Sequence, residues 1–118
     1  MRLGHWSAGH VAVLGDAAHA MAPNLGQGGG CAMMNGRALA AALQESPRIE
    51  EALRCWEVRE RPLTEHTQRV SALYSRLTTL PPPARGFLLW LVGRSRWAVN
   101  QRERTALHVP TGAPYDRR

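Results

Sequence analysis

Val13-Leu14-Gly15-Asp16-Ala17-Ala18-His19, followed by Pro23-Asn24-Leu25-Gly26-Gln27-Gly28-Gly29-Gly30, is the stretch on which the reading of this sequence turns. It begins inside a short apolar run, His10-Val11-Ala12-Val13-Leu14, that ends at Gly15-Asp16. Both faces of that run are apolar, which predicts a strand over 10–15 buried on both sides, as in a parallel sheet covered by helices. An acid at the carboxyl end of such a strand stands where open α/β sheets bind ligands, and its carboxylate can accept hydrogen bonds from ligand hydroxyls. Downstream, the glycine-rich loop 23–30 leads into a helix. Helix amino termini leave backbone N–H groups free and carry partial positive charge. Glycines there allow a ligand to approach the backbone closely. The combination predicts a site for a polyhydroxylated ligand with an electron-rich or anionic end.

Outward from this stretch, the chain reads as helical. A helix over about 30–44 has an apolar face made by Ala32, Met33, Leu39, Ala40 and Leu43. Ser46-Pro47 reads as an N-cap with proline at the first helical position. From there apolar residues recur at helical spacing over about 47–80: Ile49, Leu53, Trp56, Leu63, Val70, Leu73 and Leu77. Pro62 is expected to kink or divide this segment, and Pro81-Pro82-Pro83 to end it. A last helix is expected over about 84–99, followed by a loose tail over 105–118 that carries Pro110, Gly112 and Pro114. The fold class is therefore mostly α with one short buried strand. A lone buried strand leaves its backbone polar groups without partners. The sequence thus implies a sheet it does not contain, and points to a piece of a larger fold.

Length and composition narrow the function. At 118 residues and 44% apolar, the chain is one domain at most and is not composed like a disordered one. The formal charge of +6 first suggests nucleic acid or an anionic surface. All 15 basic residues are arginine, however, and acids interleave with them between Glu45 and Glu65 as on a solvated helix face. No nucleic-acid partner is expected. Cys31 and Cys55 match neither a zinc pattern nor a redox pair, and read as reduced thiols. His5, His10, Asp16 and His19 match no metal pattern, so no metal site is expected. The amino terminus has no signal-peptide pattern, and Phe87–Val92 is far too short to span a membrane, so a cytoplasmic protein is expected. With Arg94 and Arg96 nearby, that run reads as buried against the missing domain rather than laid on a membrane. Trp56, Trp90 and Trp97 read as packing residues.

The string GDAAHAMAPNLGQGGG resembles the second flavin-binding motif of the aromatic-hydroxylase family of FAD monooxygenases, the group related to para-hydroxybenzoate hydroxylase. Trp6 and the later Trp56-Glu57-Val58-Arg59-Glu60-Arg61-Pro62 are weaker similarities, and the likeness covers roughly residues 5–75. It implies the carboxy-terminal part of an α/β, Rossmann-like FAD/NAD(P)-binding fold, with residues 1–104 as that segment. It implies FAD as cofactor and NAD(P)H as reductant, in O2-dependent hydroxylation of a small organic or aromatic substrate. Gly15, Asp16, Pro23, Gly26, Gln27, Gly28, Gly29 and Gly30 would hold the cofactor. Asp16 would accept from a ribityl hydroxyl, Pro23 would lie against the flavin ring, and the Gly28–Gly30 amides would face the pyrimidine edge. No side chain of this segment would act as acid or base, since the cofactor does the chemistry. His19 would be either structural or close to the cofactor.

Two residues depart from the pattern. Asn35 stands where many members carry an acid, and Ala22 replaces a frequent proline before Pro23. The family's GxGxxG fingerprint for the ADP half of FAD has no counterpart before Gly15. The resemblance thus implies a segment inactive alone, whose amino-terminal partner lies on a missing segment or on a second chain of a split flavoprotein. The remaining alternative is a non-catalytic helical interaction protein.

Overall fold

The computed structural model describes residues 3–104 and residue 107; the tail expected over 105–118 otherwise lies outside the described residues. The chain opens with a small hairpin, β1 (Ser7–Ala8) antiparallel to β2 (Val11–Ala12), with Ser7 opposite Ala12 and Ala8 opposite Val11. Gly9 supplies the positive φ of 55° that its tight turn requires. A further bond from Val13 N–H to the Trp6 carbonyl, 2.8 Å, closes the base.

This corrects the expected strand over 10–15. It is two residues long, its partner lies just upstream in the same chain, and its outer face is open: Val11 is 65% exposed. Only one side of the apolar run is used: Ala12 and Val13 pack against the core around Trp6 and Trp56, while Val11 and Leu14 face outward without cover among the described residues.

The rest is helix. A single turn, α1 (Asp16–His19), is followed by a 3₁₀ turn at Pro23–Leu25, then α2 (Gly28–Glu45), α3 (Ile49–Thr78), α4 (Pro82–Arg94) and α5 (Arg96–Glu103). Ser46 is the residue after α2 rather than an N-cap of α3, which starts at Ile49 after Arg48. The Ser46 hydroxyl instead accepts from Arg48 N–H at 3.3 Å and orders the linker. Pro62 does not divide α3. Its missing N–H deprives only the carbonyl of Val58, on the exposed side of the helix. The segment expected over 84–99 is two helices, because Ser95 ends α4 and caps α5 by accepting from Ala98 N–H at 3.3 Å.

α2 and α3 form an antiparallel pair joined by the Ser46–Arg48 linker, and their seam is the core. α2 buries Cys31, Asn35, Ala38 and Ala42; α3 buries Ala52, Leu53, Trp56, Glu57, Glu60, Thr64, Thr67 and Ser71. The expected apolar face of α2 is only partly the buried one: Leu39 packs against the core and Ala32 is half-buried. Met33, Ala40 and Leu43 are exposed and point away from the seam, while small residues let the helices approach. On α3, Ile49 and Leu73 are exposed, and polar residues take their place in the seam. Trp6 is buried against Trp56, with ring centroids 5.7 Å apart, and against His19 at 5.6 Å. Glu57 ties the hairpin to α3, accepting from Ser7 N–H (3.0 Å), Ser7 Oγ (2.7 Å) and Arg61 Nη1 (2.6 Å).

Candidate functional site

Gly15 sits at φ 63°, ψ −145°, a conformation that only glycine adopts without strain. Its carbonyl accepts from Ala18 and His19 N–H, both at 2.9 Å, which starts α1 directly at Asp16. The Asp16 side chain is left exposed. A Cβ built on Gly15 would lie 3.8 Å from the Ala32 Cβ, so the turn carrying Asp16 abuts the second turn of α2. The two halves of the motif, far apart along the chain, are thus brought side by side.

The other half begins at Pro23, exposed, in the 3₁₀ turn. Gly26 ends that turn in the left-handed region at φ 64°, its N–H donating to the Pro23 carbonyl at 2.9 Å. Gln27 is the N-cap of α2 and no side chain caps the helix; the first intrahelical bond is from Cys31 N–H to the Gln27 carbonyl, 2.9 Å. The amides of Gly28, Gly29 and Gly30 therefore have no helical acceptor. A Cβ at Gly29 or Gly30 would meet nothing within 4 Å, and at Gly28 only the Met21 Cγ at 3.6 Å. None of these three glycines is required by packing among the described residues.

Behind this surface lies a buried polar network that the sequence reading did not identify. His19 is fully buried, and its Nε2 lies 3.2 Å from Asn35 Nδ2. Asn35 Nδ2 also donates to Thr64 Oγ1 at 3.2 Å, and the Asn35 backbone carbonyl accepts from Trp56 Nε1 at 2.9 Å. Burial pushes the His19 pKa below its ordinary value of 6.5, more than its own backbone and the Asp16 carboxylate raise it, so the ring is neutral. A neutral ring accepts from the Asn35 amide at Nε2 and carries its proton on Nδ1. His19 is thus a structural residue tying α1 to α2. The Asn35 amide satisfies a neutral imidazole without burying a charge.

α3 also grips the loop between His19 and Pro23. Gln68 Nε2 donates to the Ala20 carbonyl at 3.1 Å and Ser71 Oγ to the Ala22 carbonyl at 2.6 Å. The only sequence signal for this is the i, i+4, i+7 spacing of Thr64, Gln68 and Ser71, which puts three uncharged polar side chains on one face of a helix. Between this loop and α3 opens a cleft of about 480 Å³, lined in part by Met21, Arg69 and Arg76. Cys31 is buried, and burial pushes its thiol pKa up, so it is an inert packing residue. His5 and His10 lie 3.9 Å from Glu57 and 3.8 Å from Glu50 respectively, apart from Asp16 and His19. No group of residues suited to a metal ion occurs among the described residues. No helix among them is long and apolar enough to cross a membrane.

Comparison with known proteins identifies the family. Residues 1–67 match the family described as FAD binding domain. The chain is 46% identical over 112 residues to a putative 2-heptyl-3-hydroxy-4(1H)-quinolone synthase of Rhodococcus erythropolis, covering 95% of this chain and 29% of the relative. It is 49% identical over 96 residues to a 2-heptyl-3-hydroxy-4(1H)-quinolone synthase of Mycobacteroides abscessus, covering 81% and 26%. Among solved structures, 2-methyl-3-hydroxypyridine-5-carboxylic acid oxygenase superposes with a TM-score of 0.69 at 37% identity, covering 92% of this chain and 28% of that one. The chain spans between a quarter and a third of the length of these relatives. It belongs to the FAD binding domain family, the family of the aromatic-hydroxylase-type flavin monooxygenases.

Proposed function

We infer that this chain is the part of an FAD-dependent monooxygenase that holds the ribityl chain and ring of the flavin. The supporting observation is the uncapped start of α2: the Gly28, Gly29 and Gly30 amides lack helical acceptors, and the space over Gly29 and Gly30 is empty. Those donors and the helix dipole suit the electron-rich pyrimidine edge of an isoalloxazine, most of all when it carries negative charge. Asp16, exposed beside that turn, is suited to accept from ribityl hydroxyls. Pro23 offers an apolar face, and Gly15, Gly26 and Gln27 set the backbone that carries these groups. Bound FAD supplies the redox chemistry, with NAD(P)H as reductant and O2 as oxidant. The relatives' names concern quinolone and pyridine rings, and an oxidisable nitrogen heteroaromatic is the substrate class we assign.

The ADP half of FAD needs a GxGxxG segment. The exposed side chains of Val11, Met33 and Leu43 and the greater length of the relatives support a further segment, on the same or a separate chain, that covers this face. The test is absorbance of the purified protein with and without FAD, repeated after co-expression with an upstream GxGxxG-bearing partner. Little flavin bound alone and stoichiometric flavin bound with the partner is the expected result. No bound flavin in either case would remove the reading.

A further inference from the structure

The flavin-facing loop has almost no backbone bonding of its own. After Ala20 N–H bonds to the Asp16 carbonyl at 3.0 Å, the next loop bond among the described residues is from Gly26 N–H to Pro23, at 2.9 Å. Between them, Ala20, Met21 and Ala22 set the path of the chain into Pro23. Ala22 is extended, at φ −63° and ψ 145°, without the ring restraint that a proline would give. The carbonyls on either side of Met21 are both held by α3, through Gln68 Nε2 and Ser71 Oγ. Thr64 lies on the same face, one turn before Gln68, and reaches His19 through Asn35. Residues 64, 68 and 71 have the spacing of one helical stripe. Ser71 is fully buried and Thr64 is 3% exposed, so two of the three anchors are shielded from water.

We propose that Ser71 and Gln68 are positioning residues for the flavin site: α3, which carries none of the cofactor-binding groups, fixes where Pro23 meets the ring by holding the carbonyls of Ala22 and Ala20. The inference rests on the reading of Asp16–Gly30 as the flavin site. It assigns to α3 a role beyond packing, and explains how the loop keeps one path with alanine at position 22. A hydroxyl on a buried residue donating to a half-buried main-chain carbonyl at 2.6 Å is a short and directional restraint.

The test uses protein produced from its complete reading frame and loaded with FAD. Ser71→Ala and Gln68→Met remove one anchor each, and Gln68→Lys restores a donor. FAD titration and the visible circular dichroism of bound flavin are read beside the thermal melt. Ser71→Ala is expected to weaken FAD binding by about fivefold to tenfold, the effect of losing one buried hydrogen bond, and to alter the flavin dichroism. Gln68→Met should shift both in the same direction by less, and Gln68→Lys should return them toward wild type. Variants that melt lower yet bind FAD with unchanged affinity and dichroism would overturn the inference and leave the flavin reading intact. If Ser71→Ala does not fold, Gln68→Met, at the least buried anchor of the stripe, decides alone. Wild-type protein that takes up no FAD would overturn the flavin reading, and this inference with it.

Discussion

At the scale of single residues, Gly29 separates folding from ligand binding. Its backbone is in the first turn of α2 and a Cβ there meets nothing within 4 Å. Gly29→Ala should leave stability unchanged or raise it by about 0.4–1 kcal/mol, through the unfolded state. If the empty space is where the flavin edge sits, the same methyl should lower FAD affinity tenfold or more, so a melt and a titration on one variant give opposite answers. Unchanged FAD affinity would place the cofactor elsewhere. His19 and Asn35 give a second residue-scale prediction, with a definite sign. The folded pKa of His19 is depressed below 6.5, so the unfolded chain binds the extra proton first. The His19 contribution to stability is complete above 6.5 and is lost as pH falls toward the folded value. Glu57, whose folded pKa lies below its ordinary 4.5, adds a loss of the same sign at lower pH. There desolvation raises the pKa, but hydrogen bonds from Trp6, Ser7 and Arg61 together lower it further. Asn35→Asp places a carboxylate beside the imidazole and should raise the His19 pKa. The slope through neutral pH should then reverse, with stability lost as pH rises through the raised value. Above that value an unpaired carboxylate at this buried position should cost about 3–5 kcal/mol. Melting temperature against pH for the two proteins checks the reversal.

At the scale of elements, the α2–α3 seam shows what the sequence could and could not reveal. Both helices were legible from periodicity, and the loop 23–30 from its glycines, because those signals are local. The buried faces were not. On α2 the apolar residues Met33, Ala40 and Leu43 marked one face, but the seam took Cys31, Asn35, Ala38 and Ala42. Helical periodicity reports where apolar surface is, and not which partner will cover it. On α3 the buried stripe ends in Thr64, Thr67 and Ser71, which are polar because they hold backbone carbonyls rather than fill space. Trp56 was legible as a packing residue, but its bond to the Asn35 carbonyl depends on a crossing that no spacing rule gives. Trp56→Phe removes that 2.9 Å bond and leaves a void at a site only 1% exposed. A loss of about 1–3 kcal/mol is expected from the two effects, read as a lower denaturant midpoint. A midpoint equal to wild type would mean that the Trp56 ring nitrogen contributes nothing to the seam.

At the scale of the whole molecule, the described chain is a plate. Its extents are 56 × 37 × 17 Å and its radius of gyration is 16.5 Å, against about 13–14 Å for a compact domain of this length. A plate this thin holds few layers of secondary structure and cannot cover both of its faces. One face of α2 is closed by α3; the other shows Met33 at 74% and Leu43 at 43% exposure, with Val11 of the hairpin at 65%. The strand expected to be buried on both sides is covered on one, where Ala12 and Val13 meet the core, and the described residues leave Val11 and Leu14 uncovered on the other. The proposed upstream segment predicts opposite responses to one change in two settings. In the isolated 118-residue chain, Met33→Gln with Leu43→Lys should leave the melt within about 0.5 kcal/mol of wild type, as exposed sites do, and should reduce self-association and binding of a hydrophobic dye. In flavin-loaded protein that includes the covering segment, the same pair should cost about 3 kcal/mol or more by burying polar groups at an apolar contact, and should lower flavin occupancy. Sedimentation of the isolated chain and melting of the loaded protein make the comparison. Tolerance of the pair in both settings would mean that this face stays in water, and the segment that binds the ADP half would have to meet the plate along another edge.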